Sequence, residues 1–126
     1  MSNLEPIGKE AALRTIAMPA DATPSGDIFG GWLLSQMDLA GGVAAAQRAQ
    51  GRVATVAIEA MKFHKPVMVG DEVSCYCTIA RTGTTSITIH IESWVRRAQG
   101  RERIKVTEGM FTYVALDAGR KPRPID

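Results

Sequence analysis

Two carboxylates head the short set of side chains here that could do chemistry. The first is Asp27, in Ser25-Gly26-Asp27-Ile28-Phe29-Gly30-Gly31-Trp32, where a long helical pattern begins. A helix start presents backbone N–H groups with no intrahelical partner, together with a positive field. Gly30 and Gly31 carry no side chain, so a carbonyl oxygen could approach those amides closely. An acid beside bare amides suits polarising a carbonyl while a water, or the acid itself, is directed at its carbon. Asp27 also suits plain helix capping, its oxygen accepting an early helical N–H. The two roles compete, because a capped amide cannot also receive a ligand. The second carboxylate is Glu59, in Val53-Ala54-Thr55-Val56-Ala57-Ile58-Glu59-Ala60-Met61. Its apolar neighbours predict partial burial, and a buried carboxylate needs either a Lys or Arg partner or a catalytic reason to be there.

The remaining reactive groups stand apart. His64 and His90 are lone histidines, expected to be exposed or packed. Ser25 and Ser35 have no adjacent base and no Gly-x-Ser-x-Gly elbow around them. No phosphate-loop or dinucleotide-type glycine pattern is present. Cys75 and Cys77 are two apart in a strand-like run, about 6.5 Å along one face, which suits a disulfide poorly. With no second cysteine pair or close histidine, no metal site is expected, and two buried thiols in a reducing cytoplasm are the better reading. Trp32 and Trp94 are expected in the core or an interface.

The elements that must position these groups follow from pattern. A strand over 13–18 runs into Pro19 and a loop over 20–26, and a helix over about 28–50 follows, ended by Gly51. Leu33, Met37, Ala40 and Ala44 recur at helical spacing. Gly41, Gly42, Ala44, Ala45 and Ala46 leave the second half of the helix nearly bare. Interior glycine costs about 0.5–1 kcal/mol relative to alanine, so something must approach this backbone closely. Four strands come next, over about 54–63, 73–79, 85–97 and 104–116. In the third, Ile87, Ile89, Ile91 and Val95 alternate with Thr88, His90, Glu92 and Trp94. In the fourth, Val106, Met110 and Val114 share one face, with Phe111 and Tyr113 on the other. Turns are expected at Gly70-Asp71, Gly83 and Gln99-Gly100. Short hairpin links and segregated helix and strands predict an α+β fold, one long helix against one antiparallel sheet.

Composition sets the outer limits. The 126 residues, 45% hydrophobic and 22% charged, fit a single globular domain. A net charge of +2 is too weak to argue for nucleic acid and compatible with a polyanionic small molecule. Arg96, Arg97, Arg101, Arg103 and Lys105 flank one turn and Arg120, Lys121 and Arg123 crowd the tail, most of them expected as a solvated surface. Residues 1–10 show no secretory pattern, and the longest apolar stretch, 39–46, is far short of the ~20 residues that cross a bilayer.

With these residues in view, the chain resembles the acyl-CoA thioesterases of the hotdog superfamily, most closely the YciA-like branch. The likeness is carried by Leu13-Arg14-Thr15-Ile16-Ala17-Met18-Pro19-Ala20-Asp21 and by Gly26-Asp27-Ile28-Phe29-Gly30-Gly31-Trp32-Leu33-Leu34-Ser35-Gln36-Met37-Asp38, its most specific segment. Phe63-His64-Lys65-Pro66-Val67-Met68-Val69-Gly70-Asp71, Gly83-Thr84-Thr85-Ser86 and Phe111-Thr112-Tyr113-Val114-Ala115-Leu116-Asp117 follow in order. The resemblance implies a tail over 1–10 and one hotdog domain over 11–124, its helix wrapped by a curved antiparallel sheet. It implies dimers joined edge to edge, assembled further into trimers of dimers, with active sites between protomers. The implied reaction is hydrolysis of acyl-CoA to free acid and coenzyme A, without a cofactor, since coenzyme A is part of substrate and product. The implied catalytic carboxylate is Asp27. Related thioesterases carry an amide there and place the acid at the position of Glu59, reaching across from the partner. Gly83-Thr84-Thr85-Ser86, a hairpin turn by sequence, is implied to help hold coenzyme A. Arg81 and the tail cations are candidates for its phosphates by charge. Two rival readings share the scaffold. A dehydratase or hydratase pairs a histidine with an acid at the helix start, where none is near in this sequence. A non-catalytic acyl-CoA sensor would normally need an output domain.

Overall fold

The structure, a computed structural model, describes residues 9–98 and 100–126. Most of the expected tail over 1–10, and Gln99 of the expected Gln99-Gly100 turn, lie outside the described residues. The elements are β1 (Leu13–Ile16), a 3-10 turn (Pro19–Asp21), α1 (Gly30–Ala49), β2 (Val53–Phe63), β3 (Glu72–Thr82), β4 (Ser86–Arg96) and β5 (Arg103–Ala115). The strands form one antiparallel sheet in the order β1-β3-β4-β5-β2, with α1 packed against it. This is the expected α+β architecture. No helix among the described residues is long and apolar enough to cross a membrane.

Alternation of β-branched and aromatic residues builds the inner face of the sheet. Ile87, Ile89 and Ile91 of β4, Phe111 and Tyr113 of β5, and Val73 and Cys75 of β3 are all buried. Against them α1 turns Leu33, Met37, Ala40, Gly41, Ala45 and Ala49. Ala44, expected on that stripe, is only half-buried. The bare half of the helix has its packing reason at Gly41. A Cβ there would lie 2.1 Å from the Tyr113 hydroxyl oxygen and 2.6 Å from Ile91 Cδ1, so the helix backbone rests directly on the sheet. Gly42 differs: a Cβ there would meet nothing within 4 Å.

Two strand expectations are corrected. Val106 does not share a face with Met110 and Val114, but joins Phe111 and Tyr113 in the core. The cause is a β-bulge: Ser93 pairs with Thr107 and Trp94 with Lys105, so Val106 is an extra residue and the alternation flips across it. Nor do short hairpins link all four later strands. β2 is outermost and pairs with β5, so segment 64–71 crosses the end of the sheet to reach β3. That crossing lays the segment over the start of α1, where Ile28 N–H donates to Val67 O at 2.9 Å and Asp27 bridges Met68.

The far end of α1 is closed by the chain terminus. Gln50, one residue before the expected Gly51, takes the left-handed conformation (φ 52°). Arg123 Nη2 donates to Ala49 O at 2.7 Å and its Nε to Leu116 O at 3.1 Å. A side chain on Gly51 would collide with that guanidinium, its Cβ falling 2.6 Å from Nη2. Arg48 grips Asp126 through two bonds of 3.1 and 3.0 Å, and Ile125 is buried beneath the tail.

Candidate active site

At its start α1 has Phe29 as N-cap, and no side chain caps it. Asp27 therefore does not cap the helix, because the first helical residue comes too late for it. Its Oδ1 instead accepts the Thr23 hydroxyl at 3.0 Å, and its carbonyl accepts Thr23 N–H. Trp32 and Leu33 N–H turn back to Phe29 O at 3.1 and 3.3 Å. The amides of Gly30 and Gly31 meet no acceptor among the described residues. Beside them lies a cleft of about 220 Å³, with Phe29, Gly30 and Leu33 on one side and Phe63, His64 and Pro66 on the other. A histidine is thus near the helix start after all, brought there by the crossing segment. Its Nε2, however, lies 2.8 Å from Glu108 Oε2.

A third acid, Asp38, is held by side chains of two strands. Asp38 lies midway along α1, beside the buried stripe. Its Oδ1 accepts the Thr55 hydroxyl of β2 at 2.7 Å and the Tyr113 hydroxyl of β5 at 3.0 Å. Tyr113 also donates to the Asp38 carbonyl at 3.0 Å. Oδ2 is left without a partner among the described residues. Burial first, then the adjacent Asp38 charge, raises the Tyr113 pKa well above the ordinary phenol range, so Tyr113 remains a donor. Asp38 lines a groove of about 460 Å³ whose other walls are mainly apolar: Leu39, Gly42, Val43, Ala46 and Val53. The sequence signal was an acid flanked by Met37 and Leu39 and followed by Gly41-Gly42.

Glu59 is exposed, which corrects its expected burial, and of its two readings the ion pair with Lys or Arg is not formed among the described residues. Its apolar neighbours face outward: β2 is an outer strand, with Val56 58% and Ile58 38% exposed. Gly83-Thr84-Thr85-Ser86 is the expected hairpin turn, Gly83 N–H donating to Ser86 O at 2.8 Å. Thr84 O accepts Ile125 N–H and Thr85 O accepts Ala115 N–H, so this turn sits with the tail at the far end of α1. A helix of this length spans about 30 Å. Within one protomer the structure therefore does not bring Gly83, Thr84, Thr85 and Ser86 to Asp27, Gly30 and Gly31. Arg81 is exposed, with its Nη2 3.4 Å from Oγ1 of the buried Thr88, and Arg123 is occupied by backbone carbonyls. Cys75 and Cys77 are free thiols, pushed up to about 11 and about 12 chiefly by burial, which leaves them inert; Cys77 is only half-buried.

Known proteins share this fold. The thioesterase superfamily model matches residues 25–102. The acyl-CoA thioester hydrolase YciA of Salmonella typhimurium is 53% identical over 119 residues, covering 92% of this chain and 90% of that protein. The hexameric thioesterase of Yersinia pestis superposes with a TM-score of 0.90 at 54% identity, covering 94% of this chain and 97% of that one. The hexameric hotdog fold thioesterase of Campylobacter jejuni gives 0.89 at 42%, covering 93% and 90%. The chain belongs to the thioesterase superfamily and, within it, to the hotdog-fold acyl-CoA thioester hydrolases related to YciA.

Proposed function

We propose that the chain hydrolyses the thioester of acyl-coenzyme A to a free acid and coenzyme A, at a site completed by a second copy of itself. The observation that carries this reading is the half-held carboxylate of Asp38. One oxygen is fixed by two hydroxyls, and the other is free beside an apolar groove suited to an acyl chain. Unpartnered amides at Gly30 and Gly31 supply the matching donors for a carbonyl oxygen.

The chemistry then needs only water. Asp38 Oδ2 takes a proton as the water oxygen bonds to the thioester carbon, or attacks that carbon itself to give an anhydride that water opens. The negative oxygen rests on the glycine amides. Collapse breaks the C–S bond, and the departing thiolate takes up the proton. Gly31 and Asp38 of one helix lie about 10 Å apart along its axis, too far to touch one carbonyl together. The amides of one protomer must therefore meet Asp38 of another. That requirement fits a dimer joined at the unpaired edge of β2 and built into a trimer of dimers. Asp27, held by Thr23 at the helix start, and Glu59, on the open edge, act in orienting the thioester and the water. The turn over 83–86 and Arg81 would meet the coenzyme of a neighbouring copy. Unpaired thiols and an acyl-CoA substrate fit the cytoplasm.

Thiol release across acyl-CoA chain lengths, with Asp38→Asn and Asp27→Asn alongside, tests the reading. Asp38→Asn is expected to lower kcat by about 10²-fold or more with the oligomer intact, and Asp27→Asn by less. The reverse order would return the leading role to Asp27. No thiol release by the unaltered protein would sink the hydrolase reading. His64 in the cleft gives the hydratase reading one favourable observation, which crotonyl-CoA hydration without thiol release would uphold. Tight binding of acyl-CoA without turnover would point to the sensor.

A further inference from the structure

We propose that His64 is a positioning residue for the thioester, holding the wall of the helix-start cleft through Glu108; this rests on the hydrolase reading above. The wall is the beginning of the crossing segment. His64 and Lys65 N–H both point to Val106 O, at 2.7 and 3.3 Å, the carbonyl of the bulge residue of β5. On the cleft side the Phe63 ring lies 3.6 Å from where a Gly30 Cβ would stand, and Val67 O takes Ile28 N–H. The wall thus touches the helix start at both ends, and His64 between them is the residue whose side chain ties it back to the sheet.

That side chain ends on a carboxylate with no assigned task. Glu108 is 6% exposed. Its Oε2 lies 2.8 Å from His64 Nε2 and 3.5 Å from Lys105 Nζ, and its Oε1 lies 3.2 Å from His90 Nε2. Behind His90, Glu92 Oε2 stands 3.8 Å from Nδ1, and Trp94 Nε1 donates to Oε1 of the same Glu92. Lys62 borders the small pocket beside His90 and Glu108. Ionised, Glu108 can only accept, so each imidazole presents an Nε2–H to it, and neither needs an extra proton to do so. A carboxylate this buried loses heavily when a donor is withdrawn, so it draws the His64 ring, and with it the cleft wall, toward β5. Neither Glu108 nor His90 reaches the cleft, and the mechanism uses neither.

His64→Leu keeps volume and removes the donor, while His64→Gln restores an N–H of similar reach. His64→Leu is expected to raise KM for acyl-CoA about three- to tenfold with kcat within twofold, because Asp38 and the glycine amides are not on the wall. His64→Gln should bring KM back to within twofold. Glu108→Ala should show the same rise in KM, and the double variant no further rise, since both residues act through one contact. An unchanged KM in His64→Leu, a failure of His64→Gln to rescue, or additive effects in the double variant would each overturn the inference. An unaltered protein that releases no thiol would overturn the hydrolase reading as well, which separates the two failures.

Discussion

At its C-terminal end α1 is closed by its own chain, with Arg123 on the Ala49 carbonyl, Gln50 in the left-handed conformation, and Arg48 locked to Asp126. At its N-terminal end the amides of Gly30 and Gly31 meet no acceptor among the described residues and Gly30 lines a cleft, although Asp27 stands two residues before the N-cap. Both ends inherit unmade backbone hydrogen bonds from helix geometry. At the closed end a tail side chain makes one of them. At the open end they stay unmade among the described residues, and the nearby acid is tied to Thr23 instead.

The largest expected effect comes from changing the open end. Gly30→Pro deletes one amide at the first helical position, where proline fits and where Phe29 already has the extended backbone (ψ 133°) that precedes proline. If the amide holds the oxyanion, kcat should fall about 10²–10³-fold with little change in melting temperature. Stopped turnover together with lost folding would instead make the open end structural. The matching change at the closed end is Arg123→Ala. It should cost about 1 kcal/mol in urea unfolding while leaving kcat/KM unaltered. A change in KM would show that the tail cation reaches substrate. The smallest effect is one of pH. Burial alone would raise the Glu108 pKa, but hydrogen bonds from His64 and His90 and the charge of Lys105 outweigh it and hold it below the ordinary value. A lowered folded-state value adds stability that is complete above the unfolded value of about 4.3 and lost as pH falls through the folded one. Urea unfolding below about pH 4.5 should therefore show a steeper loss in the unaltered protein than in Glu108→Gln.

Much of this fold was legible because periodicity reports burial directly. The isoleucines of β4 and the bare half of α1 announced a helix lying on a sheet, and Gly41, where an added Cβ would collide with Tyr113, confirms it. What pattern could not give was the bulge at Val106, since one inserted residue leaves composition untouched while flipping every side chain beyond it. Nor could it give strand order. Read as hairpins, the later strands would keep the crossing segment away from α1 and leave His64 a lone histidine. For the acids, local sequence misled in opposite directions. Glu59 sits among apolar residues that face outward from an outer strand. Asp38 is held by Thr55 and Tyr113, partners distant in the chain and invisible until the strands are placed.

The pairing of β2 with β5 also sets the order in which this molecule can assemble. β2 follows the helix directly, yet its strand neighbour in the sheet is made only after β3 and β4. Until β5 exists, β2 has no ladder to join, Asp38 lacks its Tyr113 donor, and the bulge carbonyl that anchors His64 is missing. Contacts so remote in sequence form late and slowly. A nascent chain cut short before β5 would carry Asp38 without the hydroxyl of Tyr113 that holds it. The surroundings of Asp38 are therefore withheld until β5 has been made.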